Sequence, residues 1–250
     1  MDDIAQGENG LKFTYGENGF KFLDRLNQYV GMRAVRKVVR RYFEPCILDI
    51  GCGYSANYLR HLLPWIRSGT GIDYRVGDAV KANPKFRFFE GPIEKMLGDL
   101  QPGSFDCILM FSVLEHLWEP QSVLDTVYDL LRPGGTLIIN LPTWWAKPVL
   151  EFLVAKLNLA CREEVDDHKT YYNKRDLWPC LVRAGWRPLD IRLRYYKFGM
   201  CLFGEARIPI NAAQFDRPVS RQGGLALRTQ ESAASASTET TQTVDRVPDA

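Results

Sequence analysis

The stretch Ile47-Leu48-Asp49-Ile50-Gly51-Cys52-Gly53-Tyr54-Ser55-Ala56 is an apolar strand that runs directly into a Gly-x-Gly turn. Glycine reaches positive φ without a steric penalty and lets backbone approach a ligand. A helix starting near Ser55 would aim free N–H groups at that ligand. A second strand ends in Gly71-Ile72-Asp73-Tyr74. In open α/β sheets, ligands sit beyond the carboxyl ends of the strands, where an acid ending the second strand accepts hydrogen bonds from ribose hydroxyls. The two segments together read as a nucleotide-type cofactor site, with Asp73 as the acid.

Dinucleotide folds share this outline, and the match through Ala56 alone is weak. Asp49 separates the readings: a carboxylate two residues before the first glycine would repel a pyrophosphate and attract a cationic amino group. Apolar runs at Cys46–Ile50, Thr70–Asp73, Phe86–Glu90, Phe105–Phe111 and Thr136–Leu141 alternate with helical or loop stretches, the pattern of a parallel sheet with crossover helices. A helix near Lys174–Ala184 is followed by Trp186–Tyr195 and Phe198–Gly204, which suit a closing antiparallel hairpin.

Four segments, in order and at these spacings, resemble the class I S-adenosylmethionine-dependent methyltransferases, type 11 group, which includes the ubiquinone O-methyltransferases. They are Leu48–Gly53, Gly71–Asp73, Ser104–His116 and Leu131–Leu137. The resemblance covers roughly residues 44 to 204. It implies an α/β, Rossmann-like, doubly wound seven-stranded sheet, mostly parallel with a C-terminal antiparallel strand, and S-adenosyl-L-methionine as cofactor. It further implies that Gly51, Cys52 and Gly53 lie against the methionine moiety, that Asp49 orients its ammonium and that Asp73 binds the ribose. Tyr74 is placed to pack on the adenine, and Met110 and Phe111, at the end of the fourth strand, to line the pocket; the alternative for these last two is plain core. Many relatives carry an Asp at the position of Pro92 to receive the adenine amino group. Pro92 cannot replace that carboxylate, and the Ile93 backbone N–H is left as a polar contact to the adenine ring.

Two histidines are candidate bases. His116 follows Glu115; ubiquinone O-methyltransferases add a carboxylate three residues earlier and can hold a divalent metal, but this chain has Ser112 there. No metal is expected. His168 lies in Glu163–Tyr172, where substrate-specific insertions enter the fold. It is the preferred substrate-side base, with Tyr171 or Tyr172 shaping the acceptor pocket and a solvated charge run as the alternative. Asp106 reads as a turn or capping residue.

The expected organisation is an N-terminal segment, 1–43, with a basic amphipathic helix near Phe20–Phe43; a catalytic domain, 44–210, with a lid or acceptor insertion at about 144–173; and a disordered tail, 211–250, rich in Ala, Ser and Thr. Trp144 and Trp145 begin the lid and could alternatively rest on a membrane interface as a peripheral contact. A net charge of +2 does not argue for nucleic acid. The six cysteines show no metal-ligand spacing and, with no signal-peptide pattern at Met1–Ile4, point to the cytoplasm.

The expected activity is methyl transfer, with oxygen of a small or carrier-linked acceptor (glycan, lipid-linked or secondary metabolite) as the target. A noncatalytic cofactor-binding relative and a NAD-dependent oxidoreductase are the alternatives.

Overall fold

The computed structural model describes residues 22–152 and 167–211. Helix α1 (Phe22–Val39) precedes β1 (Cys46–Ile50), α2 (Asn57–Leu62), β2 (Ser68–Asp73), α3 (Asp78–Lys81), β3 (Phe86–Glu90), α4 (Ile93–Gly98), β4 (Phe105–Phe111), α5 (Pro120–Leu130) and β5 (Leu131–Pro142). Helices α6 (Ala146–Phe152) and α7 (Lys174–Ala184) and strands β6 (Ile191–Tyr196) and β7 (Cys201–Arg207) complete the described chain. The expected tail from residue 212 onward, the lid helix beyond Phe152 and the acidic run Glu163–Asp166 lie outside the described residues.

The seven strands form one sheet in the order β3-β2-β1-β4-β5-β7-β6. β1 through β5 pair in parallel, whereas β7 runs antiparallel to both β5 and β6. The α/β, mostly parallel architecture expected from the sequence is present. The last two strands start later than the apolar pattern suggests: Trp186 is buried, but Pro188 opens a 3₁₀ turn, Pro188–Asp190, that delays β6 to Ile191.

Alternation along the central strands divides the core in two. Ile47, Cys107 and Leu109 meet Val35, Val38 and Val39 of α1 and Leu59 and Leu62 of α2. Leu48, Ile50, Ile108 and Met110 meet Val123, Leu124 and Val127 of α5 and Leu177 and Leu181 of α7. Because parallel strands are covered on both faces, they read as continuous apolar runs.

Asp106 joins three segments. Its carboxylate accepts Cys46 N–H at 2.8 Å and Arg132 Nη1 at 2.9 and 3.0 Å, tying the starts of β1, β4 and β5 together. Asp106→Ala removes an acceptor shared by a backbone amide and a guanidinium. It is expected to lower unfolding free energy by about 1–3 kcal/mol, measured as a lower urea midpoint at unchanged slope.

Candidate cofactor and acceptor site

At the carboxyl end of β1, Gly51 and Gly53 adopt φ of 70° and 72°. Gly51 N–H and Cys52 N–H both donate to Ile72 O, at 2.8 and 3.1 Å, which folds the turn over the end of β2. A Cβ at Gly51 would stand 2.4 Å from Val113 Cγ2, so this turn is closed to larger residues. Helix α2 begins at Asn57, slightly later than expected, after Ala56 takes a left-handed conformation.

Asp49 is 1% exposed, and its Oδ2 has no hydrogen-bond partner among the described residues. Burial pushes its carboxyl well above the usual range, and the neighbouring Asp73 adds to the rise. Asp73 Oδ2 accepts Gly53 N–H and its Oδ1 accepts Tyr74 N–H, both at 2.8 Å. The acid expected to face a ribose therefore also braces the glycine turn, which its remaining lone pairs permit. Cys52 is buried, and the site of a Cβ on Gly71 lies 2.9 Å from its Sγ; its side chain fills the space between the β1 turn and β2.

Tyr74 is partly exposed, and its hydroxyl is raised by partial burial and by the carboxylates of Glu94, Asp167 and Asp73. The loop beyond it is held by Glu90, which accepts Val76 N–H at 2.7 Å and Lys81 Nζ at 2.8 Å. Glu90 was not singled out by sequence reasoning; its position ending the strand beside β2 was the available signal. Ile93 begins α4 behind Pro92 and packs its side chain on the α5-side core. Met110 is fully enclosed in that same core, whereas Phe111 stacks on Tyr58 at 4.6 Å between ring centres.

Past β4, Ser112 takes φ of 52° and starts a short 3₁₀ turn, Leu114–His116. Glu115 O accepts Lys169 N–H at 2.7 Å and Thr170 N–H at 3.3 Å, while Tyr172 N–H donates to Pro142 O at 3.2 Å. These backbone bonds bring His116 and His168 together, with ring centres 4.8 Å apart. His116 Nδ1 lies 3.0 Å from Asp167 Oδ2, and His168 Nδ1 lies 3.1 Å from Tyr171 Oη. Tyr171 in turn contacts Trp144, with ring centres 5.6 Å apart. Tyr171 and Tyr172 are both buried; Trp145 is exposed.

Burial lowers the His116 pKa, opposed by Asp167, and burial together with His116 pushes His168 down to about 4. Both imidazoles are neutral near pH 7, the state that accepts a proton or ligates a metal. Ligand atoms of Glu115, His116 and His168 lie within 4.8 Å of one another. The third donor that Ser112 fails to provide thus has a counterpart from a different segment.

Residues 22–191 match the family model described as a methyltransferase domain. The chain belongs to this methyltransferase family. Its cofactor class is S-adenosylmethionine. A ubiquinone biosynthesis O-methyltransferase of Xylella fastidiosa is 32% identical over 114 residues, covering 38% of this chain and 40% of that protein. One of Pseudomonas aeruginosa is 28% identical over 102 residues, covering 38% and 43%. The chain spans less than half of the length of such curated relatives. Among solved structures, a SAM-dependent methyltransferase from Archaeoglobus fulgidus superposes with TM-score 0.54 at 17% identity, covering 72% of this chain and 93% of that one. The N-methyltransferase NodS of Bradyrhizobium japonicum, solved with S-adenosyl-L-homocysteine, gives TM-score 0.52 at 16% identity over 73% and 87%. These similarities establish the methyltransferase fold.

Proposed function

We propose that the protein transfers a methyl group from S-adenosylmethionine to an oxygen of a small or carrier-linked acceptor. The observation that carries this reading is the pair of groups at adjacent strand ends. The buried Asp49 oxygen without a partner among the described residues sits in the last two residues of β1, and two histidines lie beyond β4.

The residues fit the cofactor by a physical test. A buried carboxyl raised by desolvation and by a second carboxylate is a site that lacks a cation, and an α-ammonium would supply one. The glycine turn leaves backbone without side chains where the methionine moiety would lie, and Asp73 offers acceptor capacity to a ribose. When bound, S-adenosylmethionine supplies a methyl carbon on a positively charged sulfur, a good leaving group. The protein's own contribution is alignment and proton removal. Asp49, Gly51 and Gly53 fix the donor end, and Tyr171 and Trp144 wall the acceptor side. His168 would take up the proton of the acceptor hydroxyl on its imidazole as that oxygen receives the methyl group. Asp167 orients His116, which stands beside His168 as its neighbour and second candidate base.

Titration of the full-length protein with S-adenosylhomocysteine by calorimetry tests the reading without an acceptor. Saturable binding is expected, because the ligand ammonium meets a buried Asp49 carboxyl oxygen that has no partner among the described residues. Undetectable binding to S-adenosylhomocysteine alongside saturable binding of NAD would sink the proposal and restore the oxidoreductase reading. Cofactor binding without turnover on any of a broad panel of hydroxyl acceptors would leave a noncatalytic relative.

A further inference from the structure

Two concavities away from the glycine turn share one side chain and one character. The first, about 550 Å³, wraps edge strand β6; its cations are Lys37 from α1, Arg41 just past the end of that helix, Arg192 and Arg194 from β6 and Lys174 from α7, and Glu205 is its single carboxylate. The second, about 390 Å³, is lined by Arg33, Arg36, Lys37 and Arg40 alone.

Glu205 is already committed, to Arg41 at 3.0 Å and Arg194 at 4.0 Å. None of the four cations in the second concavity forms an ion pair with a described residue, and Arg36 Nε is buried there without a hydrogen-bond partner among them. Arg33, Arg36 and Lys37 lie on one face of α1 at helical spacing, and Arg40 follows just past its end, so like charges stand close and repel. Although the net charge is only +2, positive charge without an acidic partner among the described residues is thus concentrated in a concave region, which focuses the field on an anion.

Several of the cations lie against aromatic rings. Arg36 and Arg40 each stand 5.2 Å from the Trp65 ring centre, Arg194 stands 4.7 Å from that of Phe203, and Lys174 stands 4.9 Å from that of Tyr195. Guanidinium groups held against rings suit phosphate oxygens.

The sheet register relates this groove to the candidate site. Phe111 pairs with Asn140, Asn140 with Phe203, and Phe203 with Arg194. At about 4.8 Å per strand, Arg194 lies about 14 Å along the sheet from Phe111, level with the strand end beyond which the histidines stand.

We propose that this groove holds the diphosphate of a carrier-linked acceptor while the group to be methylated lies beside His168. The assignment rests on the methyl-transfer reading and narrows its acceptor to one carrying a diphosphate. A concave site with cations on three sides fits a diphosphate better than the plane of a bilayer surface.

The probes are inorganic pyrophosphate and uridine diphosphate, titrated into the full-length protein and followed by calorimetry and by tryptophan fluorescence, since Trp178 lines the groove. Expected is saturable binding that weakens as salt is raised and falls about tenfold or more in Arg192→Glu/Arg194→Glu and in Lys37→Glu. These side chains are exposed, and S-adenosylhomocysteine affinity and circular dichroism should match the wild type. Absent binding of both probes, or equal binding by the variants, overturns the groove. So does binding to phosphatidylglycerol vesicles in place of the soluble diphosphates, which would make the face a membrane contact. A wild type that binds pyrophosphate but not S-adenosylhomocysteine supports the anion site while refuting methyl transfer.

Discussion

Asp49→Asn is expected to weaken S-adenosylhomocysteine binding by about ten- to a hundredfold, the loss of one buried charge-assisted hydrogen bond of about 1.5–3 kcal/mol. The free protein should respond in the opposite direction. Asp49 is buried beside Asp73, and its folded pKa is raised above the ordinary 3.8. A carboxyl of this kind holds its proton more tightly when folded than when unfolded. Its contribution to stability is thus full below pH 3.8 and is lost as pH rises through the folded value. Asn carries no such penalty, so ligand-free Asp49→Asn should melt no lower than wild type at pH 7 and gain less on adding ligand. A variant that binds normally, or that unfolds early without ligand, would make Asp49 a structural strand-end residue.

His168→Ala is expected to lower kcat by about a hundredfold to ten-thousandfold while S-adenosylhomocysteine affinity stays within error. With His168 held at about 4, the wild-type rate should be level across neutral pH and fall only as the pH drops toward that value, because protonation removes the base. Folding carries the same linkage. The folded pKa is below the ordinary 6.5, so the stability contributed is complete above pH 6.5 and is lost as pH falls toward 4. His168→Gln should flatten that acid limb in a melting series. His116→Ala should cost less if it only neighbours the base. Dialysis against a chelator divides two roles for His168. An unchanged rate supports the base, and a rate lost and then recovered by adding a divalent cation would make Glu115, His116 and His168 a ligand set instead.

Much of this was legible before any coordinates. β1, β2 and β4 appear as apolar runs because central parallel strands are buried on both faces, while the half-buried edge strand β3 shows through its phenylalanines, and the Gly51 and Gly53 turn shows because only glycine takes positive φ there at no cost. The buried carboxylates Asp49 and Asp73 were visible as acids at strand ends. Asp106 was legible as a structural residue, although its partners Cys46 and Arg132 were not.

Tertiary structure decided the rest, since it depends on which distant segments meet. That His116 and His168 share one site follows from backbone bonds between Glu115 and the 169–170 segment, a contact that no local pattern encodes. That Asp73 braces Gly53 depends on β1 and β2 lying side by side in register. In sequence the basic residues of α1 are only one face of a helix, open to two readings, a solvated surface or a contact for the phosphate of a lipid-linked or nucleotide-linked acceptor. They became a groove only when β7 inserted between β5 and β6 and carried Arg192 and Arg194 to the edge beside them. Periodicity and turn chemistry act over a few neighbouring residues and are written in sequence. Electrostatic sites are sums over groups that only packing assembles.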